Sequence, residues 1–341
     1  MTQRDAQARD FIARAGWGDA SVAPLAGDAS NRRYDRLTRP DGTTAVLMDA
    51  PTNKGEDVRP FTRIARHLCD LGLSAPRILA EDTAQGFLLL EDLGDDLFAR
   101  AVKRDPALED PIYACATDLL AKLHDHPAPT DLPAYDPPLM ASLSALVHDW
   151  YLPGADQPTS AQQKQAFQAE IETVLTDLAP ETPVLIQRDY HAENLLWLPD
   201  RDGVARVGLL DFQDGMAGHP AYDLVSLLED ARRDVPLALQ RAMLTRYIAT
   251  TGQPDDRFRA AYAALGAQRN LRIIGVFARL CIRDGKAHYV DLMPRVWSYL
   301  MQDLDHPALA GLKQTVLATL PAPTPEIRER IKSKCKTILT R

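Results

Sequence analysis

Two carboxylates and a carboxamide mark the part of this 341-residue sequence best equipped for chemistry. In QRDYHAENLLW, Asp189 and Asn194 stand five residues apart, and Asp211 follows seventeen residues later in LLDF. Hard oxygen donors of this kind suit Mg²⁺, which takes few protein ligands and fills its remaining positions with water and substrate phosphates. On that reading Asn194 and Asp211 hold the metal, while Asp189 orients an acceptor hydroxyl and receives its proton. The plain alternative is that Asp189 and Asn194 cap turns, as these residue types often do. The apolar strand before the motif and NLLWL after it favour the catalytic reading.

For the three side chains to work together, the segment PVLIQRDYHAENLLWLPDRDGVARVGLLDF must run strand, loop, strand, turn (Pro199–Gly203), strand. The loop carrying Asp189 and Asn194 then lies next to the strand end carrying Asp211. The D-x-x-x-x-N spacing followed by Asp-Phe matches a kinase catalytic loop and metal-binding D-F-G element. Gln187 replaces the His of H-R-D, and Gln213 replaces the final Gly. Upstream, GDASNRRYDRLTRP and TTAVLMDAP flank Pro40-Asp41-Gly42, which is hairpin chemistry because Gly supplies a positive φ. Phe61, Ile64, Ala65, Leu68 and Leu71 form a helical stripe ended by Gly72. PRILAE and GFLLLEDL add two more strands. From residue 95 onward helical patterns dominate, near 107–125, 139–150, 160–178, 220–231, 236–249, 255–284 and 287–302. The expected class is α+β, with a small antiparallel β-rich lobe over residues 1–92. A larger helical lobe with the catalytic hairpin spans 93–320, and a Pro-linked basic tail over 321–341 is by default a solvated terminal helix, docking on the large lobe or on a partner being the alternative.

Composition narrows the function. Apolar residues are 45% and charged residues 25%, the usual globular mix. The charge sum, 39 − 47 = −8, disfavours nucleic acid as the main partner. No apolar run approaches the ~18 residues of a membrane span, and the charged start MTQRDAQARDFIARAG lacks a signal-like apolar centre. Cys69, Cys115, Cys281 and Cys335 form no C-x-x-C pair, so neither a zinc site nor a disulfide framework is signalled. A cytoplasmic, monomeric enzyme acting on a small molecule is expected.

QRDYHAENLLW and LLDFQDGMAGHPAYDL resemble the aminoglycoside phosphotransferase family, small-molecule kinases with a bilobal protein-kinase-like fold. Asp189-x-His191-x-x-Asn194 is similar to that family's D-x-H-x-x-N loop, and Gly218-His219-Pro220-Ala221-Tyr222-Asp223-Leu224 to its G-x-P-x-Y-D-L segment. More narrowly, GDASNRRYDRL, VLMDAP, GFLLLEDLGD and QRNLRIIGVFARL resemble the bacterial anomeric sugar kinases of cell-wall recycling. Those enzymes phosphorylate N-acetylmuramic acid and N-acetylglucosamine at the 1-hydroxyl with ATP. The resemblance implies ATP and Mg²⁺ as cofactors, Asp189 as catalytic base, and Asn194 and Asp211 as metal ligands. It implies that His191 shapes the loop beside the phosphate and that Asp223 accepts backbone N–H bonds from the catalytic loop. It also implies that backbone groups of Glu91 and Leu93 pair with adenine.

One departure stands out. Where the family carries a phosphate-clamping Lys, Ala45-Val46-Leu47-Met48 ends in an apolar side chain. Arg32 and Arg33 are the favoured substitutes, with Lys54 nearby, because a guanidinium presents a fork to phosphate. Both follow Gly27-Asp28-Ala29-Ser30, the counterpart of the phosphate-covering loop, where Ser30 and backbone amides form the cradle. Glu56 or Asp57 is the candidate partner for one of them. For the acceptor, Arg272, Arg279 and Arg283 share a stripe on the 255–284 helix, with Arg269 about 60° away at 3.6 residues per turn. They are candidates for the lactyl carboxylate of N-acetylmuramic acid, as is Arg188 beside the base; structural ion pairs are the alternative. Trp150 and Tyr151 are either sugar-stacking or core aromatics. Two other functions stay open at this stage: a kinase of an aminoglycoside or choline-like acceptor, and an inactive nucleotide-binding module, the latter suggested by Met48.

Overall fold

The computed structural model describes residues 2–25 and 31–338. In chain order the elements are α1 (Gln3–Arg14), β1 (Ser21–Pro24), β2 (Arg33–Thr38), β3 (Thr44–Asp49), α2 (Arg59–Asp70), β4 (Ile78–Asp82), β5 (Phe87–Glu91), α3 (Phe98–Arg104) and α4 (Glu109–His124). They continue with α5 (Pro137–Ser144), α6 (Leu152–Gly154), α7 (Ala161–Asp177), β6 (Val184–Ile186), β7 (Leu195–Trp197), β8 (Val207–Leu209), β9 (Met216–Gly218) and α8 (Ala221–Leu228). The last are α9 (Leu237–Thr251), α10 (Asp255–Ile282), α11 (Met293–Leu304), α12 (Ala310–Thr319) and α13 (Pro325–Ser333). The expected partition into antiparallel sheet and a larger helical part is observed, with α3 and α12 as helices the sequence pattern missed.

Two compact units divide the chain: Met1–Leu119 with Ala192–Gly215, and Leu120–His191 with Met216–Arg341. This differs from the consecutive segments 1–92, 93–320 and 321–341, because the β7–β8 hairpin completes its hydrogen bonding with the first unit. Leu209 N–H donates to Ser74 O at 2.9 Å, Trp197 N–H to Asp96 O at 2.8 Å, and Ala99 N–H to Ala192 O at 3.1 Å.

In the first unit a five-stranded antiparallel sheet runs in the order β1-β2-β3-β5-β4. The β2–β3 hairpin closes as its residue types require. Asp41 Oδ1 accepts from Thr43 N–H at 2.8 Å, and Gly42 takes φ +87°. Side chains alternate between faces. Leu37, Ala45, Leu47, Phe87 and Leu89 pack on one side with Phe11 and Ile12 of α1, where Phe11 and Phe87 stack at 5.5 Å. Burying each such side chain contributes about 1.5–3 kcal/mol. The other face, carrying Val46 and Leu90, lines a cavity. The expected stripe of α2 is buried through Phe61, Ile64, Ala65 and Leu68.

The second unit is built on α10, which packs against α5, α7, α8, α11 and α13. Its Ala- and Gly-rich surface permits close approach: a Cβ on Gly275 would sit 2.5 Å from the Leu146 backbone. The tail is not a solvated helix. Ile327 and Ile331 of α13 are buried, Lys334 Nζ donates to Pro153 O at 2.6 Å, and Tyr151 Oη donates to Pro321 O at 2.7 Å. Tyr151 is therefore a core residue rather than a sugar-stacking one.

A buried acid pair also sits against α10. Asn270 Nδ2 donates to Glu229 Oε2 at 2.8 Å and to Asp303 Oδ2 at 3.0 Å. Burial pushes Glu229 up to about 7 and raises Asp303 well above the carboxylate range. A carboxyl with a raised folded-state pKa adds stability at low pH that is lost as pH climbs through that value. Thermal unfolding should therefore show a melting temperature falling as pH rises from about 4.5 to about 7. Glu229→Gln should flatten that slope by about 2 °C or more over the range; an unchanged slope means that Glu229 does not titrate with a raised value in the folded chain.

Candidate active site

The loop carrying Asp189 emerges from β6, whose three residues are buried. Its backbone is held from both sides. Asp223, fully buried in the first turn of α8, accepts from Gln187 N–H at 2.6 Å and Arg188 N–H at 2.9 Å. Ser226 Oγ donates to Arg188 O at 3.2 Å and accepts from Arg269 Nη2 at 2.8 Å. Between these anchors Arg188 adopts φ +72°, a left-handed conformation that ordinary side chains avoid at a cost of about 1–3 kcal/mol. A backbone reversal fixed at Arg188 sets the direction of the next side chain, that of Asp189.

Electrostatics keep that carboxyl ionised. Burial works to raise Asp189, but Arg272, Arg269, His191 and Arg188 together hold it below the usual carboxylate range. Burial likewise drives His191 down to about 4; its Nε2 lies 3.2 Å from Arg232 Nη1. Burial raises Asp223 to about 7, against the pull of its two N–H bonds.

Asn194 and Asp211 belong to the first unit, at adjoining ends of the β7–β8 hairpin, where Leu210 N–H donates to Asn194 O at 3.0 Å. Asn194 Nδ2 donates to Asp211 Oδ2 at 3.3 Å, and its amide carbonyl oxygen is a hard donor of the kind Mg²⁺ takes. Gln213 Nε2 donates to Asp211 Oδ1 at 2.6 Å. The residue in place of the expected Gly thus orients the carboxylate, a role visible only in the fold. Asp211 itself is left-handed, at φ +57°, and the next residue, Phe212, stacks on Phe61 of α2 at 4.8 Å. Among the described residues, no group of three or more His, Cys, Asp or Glu side chains forms a metal cage. A pair of oxygen donors fits an ion that relies on substrate phosphates.

Both residues line a first-unit cavity of about 420 Å³, together with Val46, Leu90 and the connector Glu91–Asp95. That volume falls within the small-ligand range. Glu91 N–H donates to Arg77 O at 2.8 Å, and its carboxylate pairs with Arg77 and Arg201 at 3.0 and 2.8 Å. Leu93 contributes a buried side chain to the cavity wall. Arg36, which sequence reasoning passed over, ties the connector to β2. It donates to Asp92 at 2.7 and 3.0 Å and to Asp95 at 2.8 and 3.0 Å. The available signal was its alternation with Tyr34 on the cavity face of β2.

The structure separates the two candidate phosphate clamps. Arg32 Nε donates to Glu56 Oε2 at 2.8 Å, both side chains being mostly buried. Arg33 lies on the opposite face and pairs with Asp35, Asp49 and Asp5 at 3.2, 3.3 and 3.4 Å, so it is not brought to the cavity side. Met48 is buried between Tyr34 and Leu88 in the sheet register. Ser30 lies outside the described residues. In the second unit, Arg272 Nη1 donates to Tyr222 Oη at 3.1 Å, while Arg283 is bound to its neighbour Asp284 at 2.7 and 2.9 Å. Arg279 is half-buried, and burial together with Arg283 lowers its pKa. Arg188 lies with its guanidinium carbon 5.6 Å from the Tyr135 ring centre.

A buried Asp189 carboxylate held ionised in one unit, and an Asn–Asp oxygen pair on a cavity walled by a β-sheet and its connector in the other, are side chains of the types a phosphoryl-transfer enzyme of the kinase class uses. The sequence matches the phosphotransferase enzyme family over residues 21–265, and the chain belongs to it. An N-acetylmuramate/N-acetylglucosamine kinase of Caulobacter vibrioides is 38% identical over 348 aligned positions, covering 92% of this chain and 95% of that protein. A Pseudomonas aeruginosa protein of the same name is 37% identical, covering 91% and 92%. Among solved structures, the ADP-bound aminoglycoside phosphotransferase APH(2'')-Ib superposes with a TM-score of 0.59 at 14% identity, over 96% of this chain and 99% of that one. No helix among the described residues is long and apolar enough to cross a membrane.

Proposed function

We propose that this phosphotransferase moves the γ-phosphoryl group of ATP to the anomeric hydroxyl of an N-acetylated amino sugar, N-acetylmuramic acid or N-acetylglucosamine. The observation that carries the nucleotide half is the first-unit cavity, where the connector Glu91–Asp95 shares its walls with Asn194 and Asp211. The acceptor half follows from near full-length relatives named for those two sugars. Asn194 and Asp211 would hold Mg²⁺, which when bound neutralises charge on the transferring phosphates. The N–H of Glu91 is committed to Arg77, so Glu91 offers adenine its carbonyl and the N–H donor is that of Leu93. Arg32, kept in place by Glu56, supplies the phosphate contact that Met48 does not, with Ser30 and neighbouring amides covering the phosphates. Arg33 keeps to its own acidic partners.

Asp189 orients the acceptor hydroxyl and takes its proton as the O–P bond forms. A hemiacetal hydroxyl gives up a proton more readily than an ordinary alcohol, so a weakly basic carboxylate is sufficient. His191 and Asp223 keep the loop in shape, and the arginines near Asp189 and along α10 receive the acceptor. ATP is a cytoplasmic donor, and the reading places the enzyme in the cytoplasm as a monomer. The test is turnover with N-acetylmuramic acid, N-acetylglucosamine, choline and kanamycin, with the product located by mass spectrometry and phosphorus NMR. A sugar 1-phosphate is the expected product. Phosphate on another carbon, or transfer only to choline or kanamycin, overturns the proposal.

A further inference from the structure

The second unit distinguishes among the acceptor-side arginines. Arg283 is neutralised by Asp284, with two hydrogen bonds to its carboxylate. Arg279 lies two helical turns beyond Arg272, half-buried and beside the like charge of Arg283. Arg272 is placed differently. A guanidinium can only donate, so Tyr222 Oη accepts its Nη1 bond at 3.1 Å. Tyr222 Oη lies 3.2 Å from Tyr135 Oη, and the two rings meet edge to face with centres 4.9 Å apart. Both tyrosines are buried. Tyr222 immediately precedes Asp223, whose carboxylate holds the N–H groups of Gln187 and Arg188. The phenol pair therefore fixes one edge of the Arg272 guanidinium beside the catalytic loop. Tyr222 is its one hydrogen-bonding partner among the described residues, and its charge also acts on the Asp189 carboxylate.

We infer that Arg272 reads a carboxylate on the acceptor sugar, and that Tyr135 and Tyr222 are positioning residues that set the preference for acidic over neutral acceptors. The inference rests on the amino-sugar kinase reading above. With Nη1 held by a phenol, the remaining donors of the planar fork present a preset edge to a carboxylate, a geometry Lys does not reproduce. N-acetylmuramic acid offers the matching group in its lactyl substituent, whereas N-acetylglucosamine has none. Tyr135 had no sequence signal; only the fold brings it to Tyr222.

The experiment compares kcat and KM for the two sugars in the wild type and in Arg272→Met, Arg272→Lys and Tyr135→Phe. In Arg272→Met the acidic-to-neutral ratio of kcat/KM should fall by about 10- to 100-fold, the range for losing a charge-assisted hydrogen bond. The loss should lie mainly in KM for N-acetylmuramic acid. Arg272→Lys should recover part of the ratio, and Tyr135→Phe should lower it less than Arg272→Met while keeping the charge. Equal losses on both sugars in Arg272→Met and Tyr135→Phe overturn the inference, because they assign Arg272 to Asp189 or to the fold. If Arg272→Met does not fold, Tyr135→Phe, which removes one hydroxyl, decides by the same ratio. A wild type that phosphorylates neither sugar overturns the amino-sugar reading, and this inference with it.

Discussion

Replacing Asp189 with Ala should lower kcat by ~10²–10⁴, the usual contribution of a positioned acid–base group. Nucleotide affinity should stay close to that of the wild type. The expected asymmetry has a structural basis: the cavity carrying the connector, Asn194 and Asp211 is lined wholly by first-unit residues, whereas Asp189 belongs to the second unit. Asp189→Asn keeps the side-chain shape and should lose most of the same rate, separating charge from bulk. Steady-state kinetics with titration calorimetry of ADP measures both quantities. Near-normal turnover in either variant would show that Asp189 is not the base.

The second large effect is expected at Asp211. Its backbone is left-handed at φ +57°, a region Asp and Asn tolerate better than Ala. Asp211→Ala therefore combines a lost charge with backbone strain, and Asp211→Asn is the cleaner variant. Either change removes a carboxylate oriented by Asn194 and Gln213. The affinity of the magnesium–nucleotide complex should fall by about tenfold or more, roughly 1.4 kcal/mol, and turnover should collapse with it. In the wild type, Mg²⁺ should strengthen nucleotide binding; in Asp211→Asn that enhancement should disappear. Unchanged binding in the presence of Mg²⁺ rules out the metal role.

These two residues also show which parts of the site were legible in the sequence. Asp189, Asn194 and Asp211 stood out because their chemistry depends on local spacing within one strand–loop–strand segment. The Arg32–Glu56 pair was foreshadowed for a similar reason, since one residue opens a strand and the other precedes a helix. Arg33 was indistinguishable from Arg32 until β2 was paired: side chains alternate across a strand, and one residue of register sends Arg33 to the α1 face. Gln213, Ser226 and Tyr135 gave no usable signal, because their partners lie between 2 and 87 residues away and depend on how elements pack. The two compact units cut the chain differently from the expected consecutive segments for a related reason. The β7–β8 hairpin satisfies its backbone with residues 74 and 96–99, a long-range pairing that composition does not encode.

By itself the sequence determined the α+β class, the order of the main strands and helices, and which oxygen-bearing side chains are the candidates for chemistry. Each of these rests on hydrophobic periodicity or on side-chain chemistry confined to a few consecutive residues. Tertiary structure alone decided which arginine pairs with Glu56, what pins the left-handed Arg188 ahead of the base, and that the last helix is docked. It also decided that the Tyr222 phenol, itself against that of Tyr135, holds Arg272. Those outcomes follow from distances between residues far apart in the chain, set only when the elements pack and every buried polar group has to find a partner.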